Sequence, residues 1–166
     1  HADFSIDGRY AIFTCEFTGG VAKIDLVERK VLGYLQLILP GKPTKVVKGP
    51  DGRDETICTT WKGMPQDIRV SPDGKTWYIA DMMSNGVYVV DGERFAQIDY
   101  VKTSTGAHGL YPSRDGTKLY IANRGSNKIH APPKGPGGVS VLDFATRKIV
   151  AEWPIPGGGS PDMGNV

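Results

Sequence analysis

Apolar and polar residues alternate in short runs along most of this chain, and the runs are rich in Val, Ile, Tyr and Trp. Between Gln66 and Val101 the pattern predicts four strands, roughly Gln66–Ser71, Thr76–Met82, Gly86–Asp91 and Ala96–Val101. β-Branched and aromatic side chains suit a pleated, half-buried surface, and strict alternation places them on one face. Asp-Gly falls between such runs, where glycine accepts the positive φ of a tight hairpin turn. No segment carries a helical period.

The pattern repeats. Ser5-Ile6-Asp7-Gly8, Ser71-Pro72-Asp73-Gly74 and Ser113-Arg114-Asp115-Gly116 align, and each is followed by a second anchor, Ile24-Asp25, Val90-Asp91 and Leu142-Asp143. Asp73 and Asp115 are 42 residues apart, and Asp7 and Asp73 are 66 apart, as are Asp25 and Asp91. The 24 extra residues therefore lie between Leu26 and Pro65, and a further 10 lie between Asn123 and Asp143. Four up-and-down strands per unit of about 42 residues make a propeller blade. The fold class read from the pattern is all-β: a partial β-propeller of three four-stranded antiparallel blades plus the start of a fourth. It forms one domain over 1–166, with blade 1 at about 1–37, an insertion at about 38–62, blade 2 at about 63–104, blade 3 at about 105–156 and the start of blade 4 at about 160–166. A blade completes its core only against a neighbour. The flanks therefore call for either the remaining blades of a parent chain or a second copy of this one.

Composition narrows the picture without naming a ligand. Hydrophobic residues are 39% and charged residues 23%, with a net charge of +2. This is globular and argues against a nucleic-acid partner. Gly (22) and Pro (12) suit a turn-rich chain. The longest apolar stretch, Val31 to Leu39, is interrupted and too short to span a bilayer. The start at His1 rather than Met leads us to expect a mature or excised piece.

Ser71-Pro72-Asp73-Gly74-Lys75-Thr76-Trp77-Tyr78-Ile79-Ala80-Asp81 resembles the repeat of YVTN-type β-propeller proteins, and Asp115-Gly116-Thr117-Lys118-Leu119-Tyr120-Ile121-Ala122-Asn123 resembles it more closely. The first repeat departs at Cys15, which stands in the column of Asp81 and Asn123. The resemblance implies about seven blades in all and a bacterial or archaeal protein that is extracellular or periplasmic. Relatives by fold include sugar lactonases, the N-terminal domain of nitrous oxide reductase and the haem d1 domain of nitrite reductase.

The blade order puts both insertions, about Ile38–Lys62 and Lys128–Gly138, on one face, opposite the Asp-Gly turns. Loops on a rigid scaffold are where binding resides. The same face collects polar residues at the entries to the innermost strands: Gln66, His108 and Asp162 in one column, and His1, Asp67, Gly109 and Met163 in the next. Imidazoles and carboxylates ligate metals or move protons; they also cap strand ends around a wet channel. No local metal motif is present, so a metal would have to draw on His1, His108 and Asp67. Cys15 and Cys58 allow a disulfide tying the insertion to the scaffold, or two ordinary buried thiols. The lysines of Lys42–Lys48 read as a solvated loop, and Trp61, Trp77 and Trp153 as core or loop anchors.

Two functions remain. The first is an exported binding or scaffold propeller, taking a protein or small-molecule ligand on its decorated face and requiring no cofactor. The alternative is a propeller enzyme or cofactor domain, using the His and Asp residues around the channel on a metal, haem or lactone-type substrate. The absence of a nucleophile–base pair and of Cys-x-x-Cys-His favours the first.

Overall fold

A computed structural model describes residues 1–49, 52–130 and 132–162. Among them there is no helix. Three four-stranded antiparallel sheets follow one another along the chain. The first comprises β1 (Ala2–Phe4), β2 (Tyr10–Cys15), β3 (Gly20–Asp25) and β4 (Lys30–Gln36). A two-stranded hairpin follows, β5 (Thr44–Lys48) with β6 (Asp54–Cys58). The second sheet is β7 (Pro65–Val70), β8 (Thr76–Asp81), β9 (Gly86–Asp91) and β10 (Ala96–Lys102). The third is β11 (Ala107–Pro112), β12 (Lys118–Asn123), β13 (Gly138–Asp143) and β14 (Lys148–Pro154). Each sheet keeps its strands in chain order, so the chain is a partial β-propeller. Ser160–Asp162 carry no strand. Residues 163–166, expected to open a fourth blade, lie outside the described residues.

The repeated Asp-Gly turns fold for a local reason. In each, a serine hydroxyl donates to the aspartate Oδ1, at 2.6 Å for Ser5–Asp7, 2.5 Å for Ser71–Asp73 and 2.6 Å for Ser113–Asp115. The same Oδ1 accepts the backbone N–H two residues on, from Arg9, Lys75 and Thr117. The serine Oγ in turn accepts the N–H of Tyr10, Thr76 and Lys118 at the start of the next strand. Gly8, Gly74 and Gly116 hold φ of 68°, 75° and 70°, a region that costs other residues strain. The second anchors, Asp25, Asp91 and Asp143, accept N–H groups from the following turn in the same way.

The cores lie between sheets. Ile12, Val21, Leu37, Ile68, Trp77, Ile79, Tyr88 and Val90 join the first sheet to the second. Tyr78, Ala80, Val87, Val89, Ala107, Leu110, Leu119, Ile121 and Leu142 join the second to the third. Alternation lets one strand feed both: Trp77 and Ile79 face one way, Tyr78 and Ala80 the other. The outermost strand of each sheet carries a bulge that leaves Leu32, Ile98 or Val150 unpaired, at the spacing of Asp25, Asp91 and Asp143.

The first insertion differs from expectation. The stretch Lys42–Lys48, read as a solvated loop, mostly forms strand β5, paired Lys45↔Ile57, Val46↔Thr56 and Val47↔Glu55. Lys45 pairs with Ile57, whereas Lys48 opposes Asp54 and its Nζ meets that carboxylate at 2.6 Å. The hairpin runs beside outer strand β4, where Arg53 donates to Leu32 O and Gln36 Oε1 accepts Cys58 N. The hairpin of the first insertion thus lies along the rim, beside the outer strand of the first sheet.

These turns set an acid limit. Hydrogen bonds from Ser113 and Thr117 lower the Asp115 carboxyl to about 2, and Lys118 and Thr146 lower Asp143 to about 2. A carboxyl whose folded pKa is depressed adds stability above its unfolded value, about 3.9. That stability disappears as pH falls toward the folded value. Asp115→Asn and Asp143→Asn should lower the melting temperature at pH 7, by a deficit that shrinks as pH falls from about 4 toward 2. Melting curves across pH 2–7 check this, and a deficit independent of pH would contradict it.

Candidate functional site

The innermost strands β1, β7 and β11 converge on one axis, and their free edges expose backbone N–H groups. Carboxylates answer two of these. Asp3 Oδ2 accepts Val70 N at 2.8 Å, and Asp67 Oδ2 accepts Leu110 N at 2.9 Å, each across a sheet boundary. Bulges at Pro65–Ile68 and Ala107–Leu110 interrupt pairing where the polar side chains sit.

Asp67 is 1% exposed. Its Oδ1 accepts Ile68 N at 3.0 Å and Arg69 Nη1 at 2.7 Å, and His1 Nδ1 lies 3.4 Å away. His108 Nδ1 lies 2.9 Å from Asp162 Oδ1. That contact is close but misdirected for a hydrogen bond, and Nδ1 has no properly aligned partner. Burial pushes the His108 pKa down, against the pull of Asp162. Arg124 Nε approaches Asp162 at 3.7 Å, while its Nη1 rests on Met82 Sδ at 3.6 Å. The two imidazoles stand edge to face with centroids 6.2 Å apart.

Four of the five residues expected from the columns, His1, Asp67, His108 and Asp162, therefore meet in two contacting pairs. Gln66 does not join them. Its amide donates to Glu16 Oε1 at 2.9 Å and to Met64 O, toward the β2–β3 turn. Column reasoning missed the arginines. Arg69 was within reach, because residues two apart on a strand share a face; Arg124, just past β12, has no local signal.

The arrangement does not fit a metal. Among the described residues no group of three or more His, Cys, Asp or Glu could hold one. Asp67 spends its oxygens on two N–H groups and a guanidinium, and that guanidinium would repel a cation placed beside it. The expected disulfide alternative is corrected: Cys15 and Cys58 are both free thiols. Cys15 ends β2 with Sγ against Phe13 O, whereas Cys58 is buried on the hairpin beside β4. Burial pushes the Cys15 thiol up, so it is no ready nucleophile. Trp77 is an inter-sheet core residue, as expected, and Trp153 lies half exposed against Tyr120.

No family model matches this chain, and no curated protein does. Solved structures do. A protein from Lactobacillus plantarum aligns with a TM-score of 0.65 at 17% identity, over 96% of this chain and 42% of that one. The periplasmic gluconolactonase of Pseudomonas aeruginosa aligns at 0.63 and 18%, over 98% and 40%. A candidate 6-phosphogluconolactonase from Bacteroides fragilis aligns at 0.59 and 19%, over 98% and 39%. At these identities the likeness concerns the propeller fold alone. The chain spans less than half the length of these three structures.

Asp67→Ala leaves the Leu110 N–H without its acceptor and the Arg69 guanidinium with only the Ile68 carbonyl in place of a countercharge. We expect a loss of about 3–5 kcal/mol in denaturant unfolding. Asp67→Asn, which keeps an acceptor oxygen, should lose less. Equal effects of the two would show that the charge does not matter here.

Proposed function

We propose that this chain is a stretch of an exported YVTN-type β-propeller protein that works as a binding or scaffold module. The observation carrying this reading is the saturation of Asp67. A carboxylate held by two backbone N–H groups and an arginine is built to brace strands rather than to carry protons. With Asp67 fixed, His1, His108, Asp162 and Arg124 offer polar contacts for a ligand at the axial end. Support for export comes from the resemblance and from a fold neighbour described as periplasmic; the free cysteines add none. The second insertion shares that end, where Gly137 N donates to Gly159 O.

We further propose that additional blades of a parent chain cover both flanks. Register places Ala2, Phe4, Ala11 and Phe13 on the first sheet's outward face, and Tyr120, Val139 and Trp153 on the third's. Phe4 is 54% exposed and Trp153 51%, an apolar surface of the kind neighbouring blades bury. The coverage of about two fifths of the aligned structures supports the same occupant.

Two experiments test these readings. The full-length protein should hydrolyse δ-gluconolactone no faster than buffer; hydrolysis that His108→Ala abolishes at unchanged melting temperature would replace binding by catalysis. Phe13→Asp and Trp153→Asp in the full-length protein should each lower the melting temperature by several degrees, with a monomeric mass in light scattering. No loss of stability, or a dimer that these substitutions split, would count against further blades.

A further inference from the structure

Three buried polar atoms meet where the first insertion returns to the second sheet. Asp81, at the end of β8, is fully buried. Its Oδ1 accepts Ser84 N at 2.8 Å, but Oδ2 has no hydrogen-bond partner. The hydroxyl of the fully buried Tyr88 and the indole Nε1 of Trp61 also lack one. They belong to one place. The Tyr88 hydroxyl feels Asp81, Ser84 and Trp61 together, and Asp81 Oδ2 packs on Gly63, where no side-chain carbon would fit.

The third sheet provides an internal comparison. Asn123 stands in the column of Asp81 and Ser140 in that of Tyr88. There side chains alone close the path: Asn123 Nδ2 donates to Ser140 Oγ at 2.7 Å, and Ser140 Oγ donates to Glu152 at 2.8 Å, which leaves only Asn123 Oδ1 over. In the second sheet Tyr100 takes the place of Glu152, and its hydroxyl donates to Ser84 O at 2.7 Å instead. Asp81 Oδ2, Tyr88 Oη and Trp61 Nε1 lie close together, yet none of the three makes a hydrogen bond of good geometry.

The chemistry of the three atoms selects what can link them. An indole only donates, a carboxylate only accepts, and a phenol does both. An anion would face the carboxylate, and a cation would face the indole N–H. A small neutral molecule that donates and accepts satisfies all three, and buried waters commonly make about three such bonds. We propose that one buried water bonds Asp81 Oδ2, Tyr88 Oη and Trp61 Nε1 and so fastens the end of the insertion to the second sheet. Burial pushes the Asp81 carboxyl up, as expected of an acid with no countercharge beside it.

The sign of one substitution decides the matter. In the full-length protein, Tyr88→Phe removes the hydroxyl with almost no change of shape. If a water bridges there, its bonds are lost and the melting temperature falls, by about 2–4 °C. If the hydroxyl is merely stranded, deleting it relieves a buried unpaired group and the melting temperature holds or rises. Trp61→Phe should also lower it, and the double variant should lose less than the sum, because one water is lost once. High-resolution diffraction should show a single peak within hydrogen-bond distance of all three atoms. An unchanged or raised melting temperature for Tyr88→Phe, or density showing Asp81 bonded directly to Tyr88, would overturn the proposal.

Discussion

The acceptance of one strand's N–H by a carboxylate on the strand before it is the interaction on which the axial end depends. An innermost strand pairs on one side only, and its other edge turns toward the axis where sheets crowd together. Backbone groups buried there must find partners. Asp3 and Asp67 supply them across consecutive sheet boundaries, to Val70 and Leu110. The bond satisfies the edge and ties neighbouring sheets together near the axis. Asp67 is then itself in need of compensation, being almost fully buried, and Arg69 provides it. The histidines take the positions left around that ion pair.

Farther from the axis the same sheets are held by area rather than by charge. Trp77, Ile79, Tyr88 and Val90 on one face and Tyr78, Ala80, Val87 and Val89 on the other make the second sheet the centre of both cores. Burial of one such aliphatic side chain contributes roughly 1.5–3 kcal/mol. The serine–aspartate turns add little burial of their own. They fix where each strand starts, and so decide which residues reach which core.

Much of this was legible in the chain itself. Asp7, Asp73 and Asp115 occupy equivalent turns, and the strand boundaries read between Gln66 and Val101 lie within a residue of β7–β10. Column alignment brought together His1 with Asp67 and His108 with Asp162, because residues at one height around the axial end are neighbours in space. It failed for Gln66, whose long side chain reaches sideways to Glu16. It could not foresee Arg124, which depends on where a loop leaves β12, nor the pairing of β5 with β6, where lysines mask a strand pattern. The two cysteines share a sheet neighbourhood without sharing a bond, since β4 separates the strand of one from the hairpin of the other.

The bulges at Leu32, Ile98 and Val150 carry a consequence for life in a crowded compartment. The hairpin flanks β4, but the outermost strands of the second and third sheets would otherwise offer a straight row of free amides to any passing extended chain. An extra residue breaks that row in the middle and increases the local twist, so a foreign strand can match only a few positions before losing register. A radial array of sheets thereby multiplies its rim without multiplying sticky borders, and can lengthen by duplication without courting fibril growth.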